Sequence, residues 1–439
     1  MSVPLDQWID RQYRHAATQM LTSISPAIVK QRAGFDQWVR PSRGAIVASP
    51  VLATYDPDPD YFYHWYRDSA LIIDALRLLI EAGSVKPDAR AYFADFVHFS
   101  LSLQHLDGRR LVASPAWRSR VAPDFTHFVR PDTELAAVHG ESVASETRVN
   151  PDGTLDFSLW GRPQHDGPAL RALALLRWAG STVFDTDLST PLAALLRADL
   201  AYTLKFGRQA CIDIWEEENG LHYYTLRVSC AALDLGADWL EHHGDNDQAH
   251  ACRAEAAVIR AMLDGYWLDT EGYYRSRLLQ SGARSAKQLD IAVILATVHA
   301  GADDRAHSVH DPRMRATLTR LEATFDAAYP INRERAITRA PALGRYPGDS
   351  YYSGGAYYFS TLAAAEFYFR AALRDPDAQA LCQRGDAFLE TVRVFTPPSG
   401  DLSEQFDQRT GVQTSAKHLA WSYAAFITCI HARRACGQR

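Results

Sequence analysis

Apolar residues recur at i, i+3, i+4 and i+7 along most of the chain, the pattern of helices that bury one face. Such segments lie near 5–33, 68–83, 92–106, 166–180, 188–206, 222–243, 247–266, 290–301, 311–327, 357–375, 377–395 and 415–435. The second opens on Asp68 and ends at Gly83, both helix-boundary signals. Strand-like alternation is weak, with one candidate hairpin at Asp269–Arg277 turning through Glu271-Gly272. Short and long connections alternate. Short links join the second segment to the third, the fourth to the fifth, and so on to the eleventh, and longer loops fill the other gaps. Six helical hairpins in a ring, with every long loop at one end, satisfy this spacing. The expectation is an all-α (α/α)6 barrel occupying 1–439 as a single domain. A superhelix of stacked hairpins is the alternative. It would carry a repeated signature, which is not seen, and a concave face without a deep pocket.

The unusual residues fall in the long loops: PDYFYHWYRD at 59–68, WGRPQHDGPALR at 160–171, DIWEEENG at 213–220, GRYPGDSYYSGG at 344–355 and SGDLSEQFDQRTG at 399–411. In the ring all five face one mouth, where loops on a rigid scaffold place sites. Composition narrows the chemistry. The net charge of −6, without a basic stripe, excludes nucleic acid as a partner. The 10 Trp, 20 Tyr and 18 Phe suit sugar faces as well as a core. No histidine cluster has metal-ligand spacing, and the acidic run DPDPD at 56–60 lacks calcium-loop spacing. Nucleophile elbows and phosphate loops are absent, so neither metal nor cofactor is expected. The six cysteines lack CxxC spacing and read as free buried thiols. The N-terminal residues lack a secretory pattern and no apolar run spans a bilayer, so a cytoplasmic monomer with no membrane partner is expected.

Carboxylate chemistry remains. Glycoside hydrolysis needs one acid to protonate the leaving oxygen and a second carboxylate to activate water or attack carbon. Glu216, Glu217 and Glu218 follow Trp215 in one loop, and Glu404 sits in another. Alone, EEE is more often a solvated charge run. Beside Ile214 and Trp215, crowding and burial are expected to raise one of its pKa values. Arg67 and Asp68 end a run containing Tyr61, Phe62, Tyr63, Trp65 and Tyr66, a combination suited to sugar hydroxyls in a closed pocket. Arg345 sits in a tight loop among tyrosines. Asp166 reads as a cap, and Trp421 as core.

With these five segments in order, the chain resembles the glucoamylases, glycoside hydrolase family 15, nearest the fungal-type catalytic domain. The resemblance runs from about Ala48 to Phe426. It implies an (α/α)6 barrel and an inverting exo-acting α-glucosidase on α-1,4-linked malto-oligosaccharides. It implies Glu216 as general acid and Glu404 as general base, with Glu217 contacting the reducing-side sugar. Arg67, Asp68 and Arg345 would grip the terminal glucose, Tyr61 would lie at its ring, and Trp160, Trp215 and Trp421 would be pocket aromatics, with Trp65 among the expected substrate-binding residues. Tyr357 and Tyr358 stand where relatives have a Trp, expected by the outer sugar sites, and no starch-binding module is expected. An α-1,6- or trehalose-specific hydrolase shares the same glucose pocket. A non-catalytic toroid would bind carbohydrate without turnover.

Overall fold

The structure, a computed structural model, describes residues 4–54, 57–303 and 306–437. Asp56, within the acidic run read above for calcium spacing, lies outside them. Twelve helices of nine residues or more occur among the described residues: α1 Leu5–Leu21, α2 Tyr66–Glu81, α3 Arg90–Leu103, α4 Asp166–Ala179, α5 Ser189–Phe206, α6 Tyr223–His242, α7 Asn246–Asp264, α8 Ala292–Ala300, α9 Pro312–Ala328, α10 Tyr358–Ala372, α11 Ala378–Phe395 and α12 Ala420–Gly437. The expected first segment is too long. α1 stops at Leu21, and Ser25, with φ +50° ahead of Pro26, takes the chain out of the helix.

The even-numbered helices form the inner wall. α2 packs on α4, α4 on α6, α6 on α8, α8 on α10, α10 on α12, and α12 returns to α2. The ring is closed, which rules out the open superhelix. The inner helices are buried on nearly every side, as in α10, where Tyr358–Phe369 are buried without a break. Alanines at 363–365 let neighbouring helices approach closely. The outer helices are amphipathic and cover this wall: α1 lies on α12, α5 on α4, α7 on α6 and α11 on α10. Phe93 of α3 stacks on Trp178 of α4 at 4.0 Å, and the Trp178 indole donates to the Ile73 carbonyl at 2.9 Å, tying outer and inner layers together.

The long loops are zipped together by short strands. His64–Trp65 pairs with Arg148–Val149, Asn219–His222 with Arg277–Leu279, and Ala356–Tyr357 with Gln405–Phe406. Each pairing joins two consecutive long loops, so the loops share one end of the ring. The expected hairpin exists as Trp267–Leu268 paired with Tyr273–Tyr274, with Gly272 at φ +72° in its turn. The cysteine expectation needs one correction: Cys382 of α11 and Cys436 of α12 form a disulfide, while Cys211, Cys230, Cys252 and Cys429 are free and buried. No helix among the described residues is long and apolar enough to cross a membrane.

Candidate active site

The long-loop end of the ring opens into a cavity of about 260 Å³. Tyr61, Trp65, Arg67, Asp68, Trp160, Trp215, Glu216, Glu217, Arg345, Glu404 and Trp421 all line it. The candidate catalytic and sugar-contacting residues are therefore brought together, although they come from six separate stretches of chain. Phe359 and Trp421, stacked at 4.1 Å with planes 2° apart, face both this pocket and a second cavity at the other end of the ring. Trp421 is core and pocket lining at once: only 5% exposed, it floors the pocket beneath the Arg67 guanidinium.

The glutamates of EEE do not crowd. The chain makes a turn in which the Glu216 amide donates to the Asp213 carbonyl at 2.9 Å and the Glu217 amide to the Asp213 side chain at 2.8 Å. Glu216 sits at φ +64°, a left-handed conformation that a glutamate adopts only when its surroundings impose it. The three side chains consequently diverge. Glu216 accepts from the Trp65 indole at 2.8 Å and from the Trp160 indole on its other oxygen, with Arg67 Nη2 at 3.4 Å. Glu217 takes Arg345 at 3.0 Å, Lys287 at 2.6 Å and the Tyr346 hydroxyl at 2.6 Å. Although partial burial opposes it, these cations and donors hold the Glu217 carboxyl below its ordinary range. Glu218 points away to Arg277 at 2.9 Å and Ser285 at 2.9 Å. The expected like-charge crowd is thus replaced by three separately paired carboxylates.

Two other pocket carboxyls, Glu404 and Asp68, are raised. Burial pushes Glu404 up to about 7, against the pull of the Ser415 hydroxyl bonded to its Oε2 and of Arg345. The Tyr61 hydroxyl lies 3.4 Å from both Glu404 oxygens and 2.9 Å from the Tyr351 hydroxyl. Burial likewise lifts Asp68 to about 6, outweighing the Arg67 guanidinium 3.4 Å away. Asp68 Oδ2 is buried with no hydrogen-bond partner. A pocket-lining carboxylate oxygen left without a donor is an acceptor for a ligand hydroxyl.

Two arginines are fixed by partners that the sequence did not reveal. Arg67 donates to Gln164 at 3.1 Å and approaches Asp166 at 3.5 Å, so Asp166 pairs with the pocket guanidinium besides opening α4. Arg345 is clamped by both oxygens of Asp349, at 2.7 and 2.6 Å. Trp215 donates to Asp290 at 2.9 Å. Gln164 and Asp166, within WGRPQHDGPALR, and Asp349, within the GRYPGD loop, lie in stretches that stand out in the sequence. Asp290 and Ser415 head segments whose periodicity predicts helix, whereas α8 starts at Ala292 and α12 at Ala420, which leaves both in the preceding loops. Tyr357 and Tyr358 are a correction. Both are buried, their hydroxyls receive Gln405 and Gln413 amides at 2.7 and 2.8 Å, and neither lines the pocket. No trio of His, Cys, Asp or Glu among the described residues is arranged to hold a metal ion.

A closed (α/α)6 ring whose one mouth gathers two distant glutamates, two clamped arginines and an aromatic floor defines a glycoside-hydrolase scaffold. The sequence profile of the glycosyl hydrolases family 15 matches residues 32–103, 144–380 and 374–431. The chain belongs to that family. Glucoamylase 1 of Rhizopus oryzae is 26% identical, over 98% of this chain and 71% of its own length. A probable glucoamylase of Schizosaccharomyces pombe is 28% identical, over 98% and 92%. Among solved structures, the family 15 glucoamylase from Hypocrea jecorina superposes with a TM-score of 0.77 at 25% identity, covering 98% of this chain and 72% of that one. The glucoamylase of Hormoconis resinae gives 0.76 at 26% identity, covering 98% and 74%.

Proposed function

We propose that this glucoamylase-type glycoside hydrolase removes single glucose units from the non-reducing ends of α-1,4-linked malto-oligosaccharides, with inversion. The observation that carries the reading is one blind, sugar-sized pocket with Glu216 and Glu404 both in its wall and the Trp421–Phe359 stack beneath. A pocket closed at its floor admits a chain end and not a chain middle, hence exo action.

In this reading Glu216 passes its proton to the glycosidic oxygen as the C1–O bond breaks. The indoles of Trp65 and Trp160 donate to separate oxygens and hold the carboxylate that remains. Glu404 takes a proton from a water whose oxygen bonds to C1 on the opposite face, so the product is the β-anomer. Tyr61 lies between them, its ring 5.3 Å from Trp65 and its hydroxyl on Glu404, placed to face the positive charge developing at C1. Arg67, Asp68 and Arg345 take the terminal sugar's hydroxyls, and Glu217 the next sugar. The single-water mechanism sets the two carboxyls roughly 6.5–9.5 Å apart.

Proton NMR of the products from maltose, isomaltose and trehalose tests hydrolysis, linkage and stereochemistry together. The expected result is β-glucose first, fastest from maltose. Early α-glucose overturns inversion, and a faster rate on isomaltose or trehalose overturns the α-1,4 assignment.

A further inference from the structure

The family profile skips residues 104–143. That stretch folds into a lobe of short helices, including Gly108–Ala113 and Asp132–Ala137. The lobe has a small core of its own, in which Trp117, Val121 and Leu135 pack with Phe35 and Phe157. It is attached directly to the pocket rim. The Arg130 amide donates to the Phe157 carbonyl at 2.9 Å, Val129 bridges Ser158, and the Leu159 amide donates to the Phe128 carbonyl at 2.6 Å. The next residue is Trp160, whose indole reaches Glu216.

The side chains on this seam are unusual. Phe128 is 48% exposed, Leu159 45% and Trp160 37%, whereas the rest of the lobe's large apolar residues turn inward. His127 packs on the Phe128 ring at 3.8 Å between centroids, which holds that ring in place while leaving much of it in water. The supporting structure beneath is rigid. Arg130 of the lobe grips both oxygens of Glu146, at 2.9 and 3.1 Å, and Glu146 and Asp156 both hold Arg162. Asp156 also holds Arg148, whose guanidinium lies 3.7 Å from the Trp160 ring centroid. Exposed apolar surface on a stiff base, contiguous with a pocket, is a binding surface more often than an accident of folding.

Direction follows from the pocket's shape. Its floor is closed, so a substrate that places its terminal sugar at the bottom must leave past Glu216 and its rim partner Trp160. We propose that Phe128 and Leu159 form an apolar ledge beyond Trp160 that packs against the C–H faces of the leaving-side sugars, making the 104–143 lobe a chain-length selector for oligosaccharides longer than a disaccharide. This rests on the reading of the pocket as an α-glucosidase site. The ledge acts on binding and not on the chemical step, because no polar group of Phe128 or Leu159 reaches the reacting atoms.

The test compares the ratio of kcat/KM on maltotetraose to kcat/KM on maltose in the parent chain, in Phe128→Ala, in Leu159→Ala and in Phe128→Trp. Removing a half-exposed phenyl ring should lower that ratio about fivefold in Phe128→Ala, through KM for the tetraose. Leu159→Ala should lower it less, and Phe128→Trp should keep or raise it. A ratio unchanged in both alanine variants overturns the ledge, as does a loss carried by kcat alone. If the parent chain hydrolyses neither substrate, the α-glucosidase reading itself fails; if it hydrolyses both with ratios indifferent to these variants, only the ledge does. Phe128→Trp and Leu159→Ala keep the question decidable should Phe128→Ala unfold the lobe.

Discussion

Replacing Glu404 with glutamine should abolish turnover and yet stabilise the fold, and the second effect should depend on pH. Glu404 is held in a buried pocket wall that pushes its carboxyl from 4.5 up to about 7. In the unfolded chain the same group titrates near its ordinary value. Between these two values the folded state keeps the proton that the unfolded state has released, so stability falls as pH rises through the interval. Below about 4.5 the group costs nothing, and above about 7 the full cost of an ionised buried carboxylate is present. At ~1.4 kcal/mol per unit of pKa displacement, that cost is about 3 kcal/mol. Glutamine keeps the shape, still accepts from Ser415, and has no proton to lose. Unfolding entropy of ~2.1 cal/mol/K per residue makes about 0.9 kcal/mol/K for the chain, so Glu404→Gln should raise Tm by about 3 °C at alkaline pH. Calorimetry of both proteins at about pH 4 and about pH 8 is the assay, with turnover of maltose expected to fall by at least ~10²-fold. Equal Tm differences at the two pH values, or a larger gain at acid pH, would refute the burial argument.

Glu216→Gln should also lower kcat on maltose by ~10²-fold or more, and the loss should shrink on a substrate whose leaving group needs no protonation, such as α-glucosyl fluoride. Ser415→Ala removes a donor that favours the ionised form of Glu404, so the acid limb of kcat/KM should move up by about one pH unit; an unmoved limb would show that this hydroxyl does not tune the base. Asp349→Asn weakens the clamp on Arg345. It should cost about 2 kcal/mol of stability, read in a urea melt, and raise KM more than it lowers kcat.

The ring was legible because it is written in local signals. Helical periodicity and the alternation of loop lengths depend on residues near one another in the chain, and from α2 onward the boundaries fall close to those expected. α1 overran because Ile28 and Val29 prolong an apolar pattern that Ser25-Pro26 has already ended. The membership of the pocket was legible for a related reason: once long loops share an end, everything distinctive in them meets. Partners were not. Asp290 holds Trp215 across 75 residues, and Glu217 is held by Arg345 across 128. No spacing rule links such positions.

The different surroundings of the two glutamates are the clearest case of that gap. Three adjacent acids invite an argument from mutual repulsion, and it fails because a single left-handed residue at 216 sends each carboxylate to a different cation or donor. Repulsion between neighbours in sequence matters only if the backbone leaves the side chains parallel. Glu404 has no acidic neighbour in sequence, yet burial raises its carboxyl, since its environment is set by loops at 61, 345 and 415. The two carboxylates are therefore distinguished by what each accepts, two indole N–H groups on one and hydroxyls in a dry wall on the other. That difference in environment is a property of the closed ring and not of either segment alone.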